Sequence, residues 1–235
     1  FYNPGVPTTV ELPISDGSSR GPFTISNCTG VIIQDLRIAS SRDHGMIVAS
    51  CNNVTIRRCV YNNCGLWGIY MILPYGAAYS NITVENCTAQ WCHCGLLGLT
   101  TSQSGGTFIG KITNLLVQYN TILDCQLGAP WDAALTADDY WSGAIKLFGS
   151  LIGDSAWTGY VQYNYVDRQG TRDRDVKGVQ GGGIYLDTVA GSITVRYNDI
   201  RNCRTFGIGV EMSPASHIVE YNSIYFCGQN NEGIA

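Results

Sequence analysis

Two acidic residues, Asp187 and Glu211, have the types and the spacing that acid–base chemistry needs. They end two similar stretches, residues 183–187 and 207–211, and lie 24 residues apart. If these stretches are neighbouring strands of one parallel sheet, the two acids lie one rung apart, with backbones about 4.8 Å from each other. Two carboxyl groups about 5–5.5 Å apart suit cleavage of a glycosidic bond with retention, one as nucleophile and one as acid/base. Their mutual repulsion should raise the pKa of one of them.

The alternation of residue types predicts which side chains face outward beside these acids. Ile184 and Leu186 should point into a core, which leaves Tyr185 and Asp187 outside, with Asp187 in the same column as Glu211. Gly209 stands two residues before Glu211, and because it has no side chain we expect it to leave room for a ligand. A structural interpretation competes with the catalytic one, because both acids end strands and are placed to cap the turns that follow.

A repeat runs through the sequence and must position these acids. Seven apolar anchors recur at spacings of 23, 28, 33, 44, 34 and 24 residues, namely Ile33, Ile56, Val84, Val117, Val161, Val195 and Val219. Each unit contains short stretches of period two between Asn, Gly and Ser turns, without helical periodicity. A unit of about two dozen residues buries no core alone and must stack on its neighbours. The sequence therefore predicts an all-β parallel β-helix, a solenoid of about seven coils with long loops on one edge.

This solenoid is predicted to occupy residues 23–235, after an N-terminal segment, first coil or cap at residues 1–22. Because residues 233–235 fall in the middle of a repeat, we expect further sequence beyond the C-terminus.

Two columns of like residues support the repeat. Three residues after each anchor stand Leu36, Cys59, Cys87, Asn120, Asn164, Asn198 and Asn222, and eight residues after stand Ser41, Cys64, Cys92, Cys125, Gln169, Cys203 and Cys227. Stacked Asn side chains form hydrogen-bonded ladders, and stacked thiols pack inside. We therefore predict an asparagine ladder and a ladder of buried free thiols, because parallel side chains give an awkward disulfide torsion.

The longest insertions leave one corner of two adjacent coils, before the strands that begin at Gly143 and Gly183. Long loops rich in polar and aromatic residues are typical of binding sites on rigid scaffolds, although aromatic residues can also merely fold such loops onto the rod. The predicted substrate-binding residues lie in these loops and on the strands beside them: Trp131, Asp138, Asp139, Tyr140, Trp141, Lys146, Arg172 and Tyr185.

The composition excludes several classes of protein. The chain of 235 residues is 45% hydrophobic, which excludes intrinsic disorder, and its net charge of −4 argues against binding of nucleic acid. A run of about 18 apolar residues is absent, so the sequence predicts no membrane span. We predict no metal or other cofactor, because Cys92-His93-Cys94 lacks a second pair at metal-ligand spacing.

The pattern Asn-x-Ile followed by Gly-Ile, as in Asn198-Asp199-Ile200 and Gly207-Ile208, resembles the right-handed parallel β-helix proteins of the pectate-lyase-like superfamily. Within that group, the Asp187 and Glu211 pair resembles the β-helical retaining β-xylosidases. This resemblance implies that Asp187 is the nucleophile and Glu211 the acid/base, with a location outside the cell or on its surface.

Three functions remain open at this point. The first is a retaining glycoside hydrolase acting on a poly- or oligosaccharide through Asp187 and Glu211. The second is a polysaccharide lyase on a uronate polymer, with Lys146 or an arginine of residues 168–177 as the base. The third is a non-catalytic β-helix, an adhesin or filament subunit, in which the last coil permits end-to-end self-association.

Overall fold

The computed structural model describes residues 8–9, 23–101, 103–104, 107–108, 110–126, 143–149, 157–170, 181–213 and 216–228. These residues form a parallel β-helix in which each complete coil contributes one strand to each of three parallel sheets. A further antiparallel pair joins β12 (Gln103–Ser104) to β13 (Thr107–Phe108). Of the described residues, no helix is long and apolar enough to cross a bilayer.

Sheet A contains the shortest strands, most of three residues: β1 (Thr8–Thr9), β4 (Leu36–Ala39), β7 (Val60–Asn62), β10 (Thr88–Gln90), β15 (Thr121–Leu123), β18 (Tyr165–Asp167), β21 (Asp199–Arg201) and β24 (Ser223–Tyr225).

Sheet B contains the strands that begin near glycine in the sequence repeat: β2 (Phe23–Ser26), β5 (Met46–Ala49), β8 (Trp67–Leu73), β11 (Gly95–Thr101), β16 (Gly143–Phe148), β19 (Gly182–Asp187) and β22 (Ile208–Glu211).

Sheet C contains the seven anchors: β3 (Thr29–Gln34), β6 (Asn52–Arg57), β9 (Ala78–Glu85), β14 (Lys111–Gln118), β17 (Trp157–Gln162), β20 (Gly191–Arg196) and β23 (Ile218–Glu220).

The register of sheet C confirms the repeat deduced from the sequence. Each anchor is the direct partner of the next one, from Ile33 opposite Ile56 to Val195 opposite Val219. Insertions of different length therefore leave the stacking unchanged. Five of the anchors, from Ile56 to Val195, are completely buried in the core between the three sheets.

The predicted asparagine ladder is present at the bend between sheets C and A. The amide groups of Asn120, Asn164 and Asn198 each donate to the Oδ1 of the next asparagine, ending at Asn222, over 2.9 Å. Each amide also donates to a main-chain carbonyl of sheet C, such as that of Val117 for Asn164. The ladder satisfies main-chain groups that the tight bend leaves without partners in a sheet.

The ten cysteines are all free, and eight of them are buried. Cys64, Cys92 and Cys125 follow one another on successive coils, as the sequence predicts, with relative exposures of at most 2%. Small sulfur side chains therefore fill this part of the core, and the chain is held together without disulfides among the described residues.

Replacement of Asn164 by alanine should lower the free energy of unfolding by about 3 kcal/mol. The change removes the acceptor of the Asn120 main-chain N–H and the donor to the Val117 carbonyl, both in the interior. Chemical denaturation measures the difference. Gln162→Ala is the matched control, because Gln162 bonds to Gln118 and Arg196 on the solvent side of the same coil. If the free energy of unfolding falls no more for Asn164→Ala than for the control, the ladder has no stabilising role.

Candidate active site

Asp187 and Glu211 are direct partners at the ends of β19 and β22. The main-chain N–H of Thr188 donates to the carbonyl of Glu211 over 2.8 Å, which holds these strand ends together. In the coil before, Phe148 is opposite Asp187. The inward neighbours Ile184 and Leu186 are completely buried, so the acids extend from the outer face of sheet B, as the sequence predicts.

Lys146 forms an ion pair with Asp187 across this outer face. Its Nζ lies 3.1 Å from Oδ2 of Asp187, and the two side chains are only 13% and 14% exposed. The same ammonium group lies over two aromatic rings, 4.9 Å from the ring centre of Phe148 and 5.0 Å from that of Tyr185. Such cation–π contacts strengthen when water is excluded, so the rings help to hold the charge of Lys146 in place.

The pKa of Asp187 is raised, mainly because burial disfavours its charged form. The charge of Glu211 raises this pKa as well, while the ammonium of Lys146 lowers it. The sequence-based expectation that one acid of the stacked pair has a raised pKa is thus supported, with burial as the larger cause and repulsion as the smaller one.

Tyr185 holds the side chain of Glu211 on the outer face of sheet B. Its hydroxyl donates a hydrogen bond to Oε2 of Glu211, and its ring is almost completely buried, although it lies on the outer face. Burial, together with this hydrogen bond, raises the pKa of Tyr185, so the phenol keeps its proton as a donor. The two carboxyl groups therefore differ in their partners, Asp187 facing an ammonium and Glu211 a hydroxyl.

The expectation that Gly209 leaves room for a ligand is wrong. A Cβ atom at Gly209 would lie 3.0 Å from the ring of Phe206 and 3.2 Å from that of Tyr185. Phe206 also covers Gly182, where a Cβ would lie 2.4 Å from its ring. The two glycines therefore accommodate Phe206, which packs against Tyr185 with ring centres 5.2 Å apart.

The structure brings together four residues that the sequence predicts for the site: Lys146, Tyr185, Asp187 and Glu211. The other predicted site residues lie outside the described residues: Trp131, Asp138, Asp139, Tyr140, Trp141 and Arg172.

Two aromatic residues of the site, Phe148 and Phe206, were missed in the sequence. Phe148 stands in the same strand column as the acids, so the repeat register alone would have identified it. Phe206 has no comparable signal, because it precedes its strand and the direction of its ring is set by Gly182 and Gly209.

His44 lies on an earlier coil, just before β5, away from the acids. Its ring stacks on Tyr70 with centres 4.3 Å apart, and burial lowers the pKa of His44 to about 3. The imidazole is therefore neutral and packed. Across the described ranges no group of three His, Cys, Asp or Glu side chains is arranged to hold a metal ion.

A family model described as "Right handed beta helix region" matches residues 21–139, half of the chain. The chain belongs to the right-handed β-helix family. This match covers the first coils, and the continuous sheets extend the same architecture to residue 228. None of the curated proteins and none of the solved structures matches the chain. The family establishes the scaffold, whereas the activity must be argued from the residues on the outer face of sheet B.

Titration of Asp187 tests the electrostatics of this site. Its carboxyl signal, followed by carbon NMR, should have a midpoint above the ordinary aspartate value, because burial disfavours the charge. Lys146→Met should raise the midpoint further, since the ammonium lowers it, and Glu211→Gln should lower it. Asp35, whose pKa is lowered by Arg58, is the internal reference. An unshifted midpoint that neither substitution moves contradicts this arrangement.

Proposed function

We propose that this β-helix is a retaining glycoside hydrolase acting on a poly- or oligosaccharide, with Asp187 and Glu211 as the catalytic pair. The observation that carries the proposal is their direct pairing on neighbouring strands of one outer face. Neighbouring strands have backbones about 4.8 Å apart, and this spacing suits the short carboxyl separation that retaining enzymes use better than the wider one of inverting enzymes. The glycan-active β-helix proteins that the chain resembles work outside cells, so we also propose an extracellular or cell-surface location.

The partners of the two acids support distinct roles. Asp187, with its raised pKa, is suited to hold the proton that the leaving-group oxygen receives. Glu211 is the more exposed of the two and accepts the Tyr185 hydrogen bond, which orients it as a nucleophile. This assignment is the reverse of the one that the resemblance to β-xylosidases implies.

Lys146 fits this assignment as a positioning residue. Once Asp187 has given up its proton, the ammonium 3.1 Å away stabilises the resulting carboxylate, which then takes a proton from the incoming water. The contact of Lys146 with Asp187 favours this positioning role over the role of base in a lyase.

A screen of neutral and acidic glycans for hydrolysis tests the proposal. Asp187→Asn and Glu211→Gln should each lower the rate about 10³-fold, because each removes a group that acts on the reacting bond. Asp199→Asn is the matched control, since Asp199 pairs with Arg201 on a different sheet. Glycan cleavage that survives both substitutions, or products that absorb in the ultraviolet as lyase products do, contradicts the proposal.

Azide rescue with an activated aryl glycoside distinguishes the roles. If Glu211 is the nucleophile, azide restores Glu211→Ala by attacking the anomeric carbon directly and gives a glycosyl azide of inverted configuration. If Asp187 is the acid/base, Asp187→Ala with azide gives the retained configuration through the glycosyl-enzyme. If Glu211→Ala instead gives the retained azide and Asp187→Ala the inverted one, Asp187 is the nucleophile and Glu211 the acid/base, and the mechanism is still a retaining one.

A further inference from the structure

A cleft lies on the outer face of sheet C, away from the acids of sheet B. It has a volume of about 620 Å³ and crosses strands β9, β14, β17, β20 and β23. This volume falls within the range of small-molecule sites in proteins. Its lining, in the part of the chain that the structure describes, contains no charged side chain.

One edge of the cleft is a row of exposed amides and hydroxyls on successive coils. Asn81, Asn114, Thr158 and Ser192 form this row. The amide of Asn114 donates to Asn81 over 3.0 Å, and that of Asn81 donates to Asn53 over 2.7 Å. Each of these bonds uses one N–H of a side-chain amide, and a carboxamide has two. The bonds therefore fix the positions of the two asparagines, and the second N–H of each amide can still donate to a ligand.

The floor of the cleft combines an aromatic ring with apolar and hydroxyl side chains. Tyr160 lies between Leu116 and Thr194 in the register of the sheet. The guanidinium of Arg196 lies 4.6 Å from the ring centre of Tyr160 and restrains the ring. Tyr160 nevertheless remains 43% exposed, so part of this restrained ring is available to a ligand.

We infer that this cleft binds a neutral oligosaccharide that lies along the axis of the β-helix. Sugar hydroxyls both donate and accept hydrogen bonds, as do the amides and hydroxyls of the row, and sugar C–H faces pack on aromatic rings. The row repeats at the spacing of the coils, about 4.8 Å, so successive residues of a linear sugar chain each meet an amide or a hydroxyl. The residues that line the cleft are uncharged, and the guanidinium of Arg196 packs on the ring of Tyr160 beside them.

This cleft stands apart from the catalytic pair. The acids extend from sheet B, whereas every strand of the cleft belongs to sheet C. A binding site on sheet C would hold one part of a long glycan on the β-helix while another part of the same glycan reaches the acids of sheet B. Binding at sheet C does not depend on any activity at Asp187 and Glu211.

Affinity electrophoresis of the full chain in gels containing neutral polysaccharides tests the inference, with xylan, β-glucan and galactomannan as neutral probes and polygalacturonate as the acidic one. At least one neutral polymer should retard the protein, and Tyr160→Ala should weaken that binding about 10-fold through loss of the ring contact. Tyr75→Ala is the matched control, because Tyr75 is 45% exposed and lies outside the cleft. Circular dichroism confirms that each variant is folded.

A second variant tests the polar edge. Asn114→Asp keeps the size of the side chain and its left-handed backbone conformation, which aspartate tolerates, while it replaces amide donors by a carboxylate. It should also weaken binding of the neutral polymer. Three results would overturn the inference: equal retardation of wild type and both variants, preference for polygalacturonate, or self-association that Tyr160→Ala abolishes.

Discussion

The stacking of successive coils in a fixed register is the constraint on which the rest of this molecule depends. Parallel strands can slip, and a shift of one residue would exchange inward and outward side chains along a whole coil. The ladder from Asn120 to Asn222 opposes such a shift, because each amide bonds to the next coil and to a main-chain carbonyl. The same register aligns the anchors of sheet C and the acids of sheet B.

The register also brings three of the chain's few charged side chains together on one face. Only 14% of the residues are charged, yet Lys146, Asp187 and Glu211 lie on three successive strands of one face. The rings of Phe148 and Tyr185 lie against the ammonium of Lys146, and Phe206 packs on Tyr185. The low charge of the composition is therefore compatible with a cluster of charged side chains on this face.

The fold was predictable from the sequence because every coil must bury the same apolar positions and make the same bends, so the same residue types recur. Apolar anchors and the columns of Asn and Cys appear in phase, so their pairing follows from spacing alone. The outward direction of Tyr185 and Asp187 follows from period two. The interpretation of Gly209 failed, because a glycine marks free space only if no neighbouring ring fills it, and Phe206 comes from outside the strand. The cleft on sheet C was also missed, since it arises from side chains of several coils, none unusual by itself.

The configuration of the first product tests the central claim most directly, because carboxyl separation decides stereochemistry in glycosidases. Proton NMR of a cleaved glycan, recorded before the product mutarotates, shows which anomer forms first. Acids one rung apart predict that the product keeps the anomeric configuration of the substrate. A product of inverted configuration would contradict the account, since inversion requires a water molecule between the carboxyl groups of two residues that are direct partners on neighbouring strands.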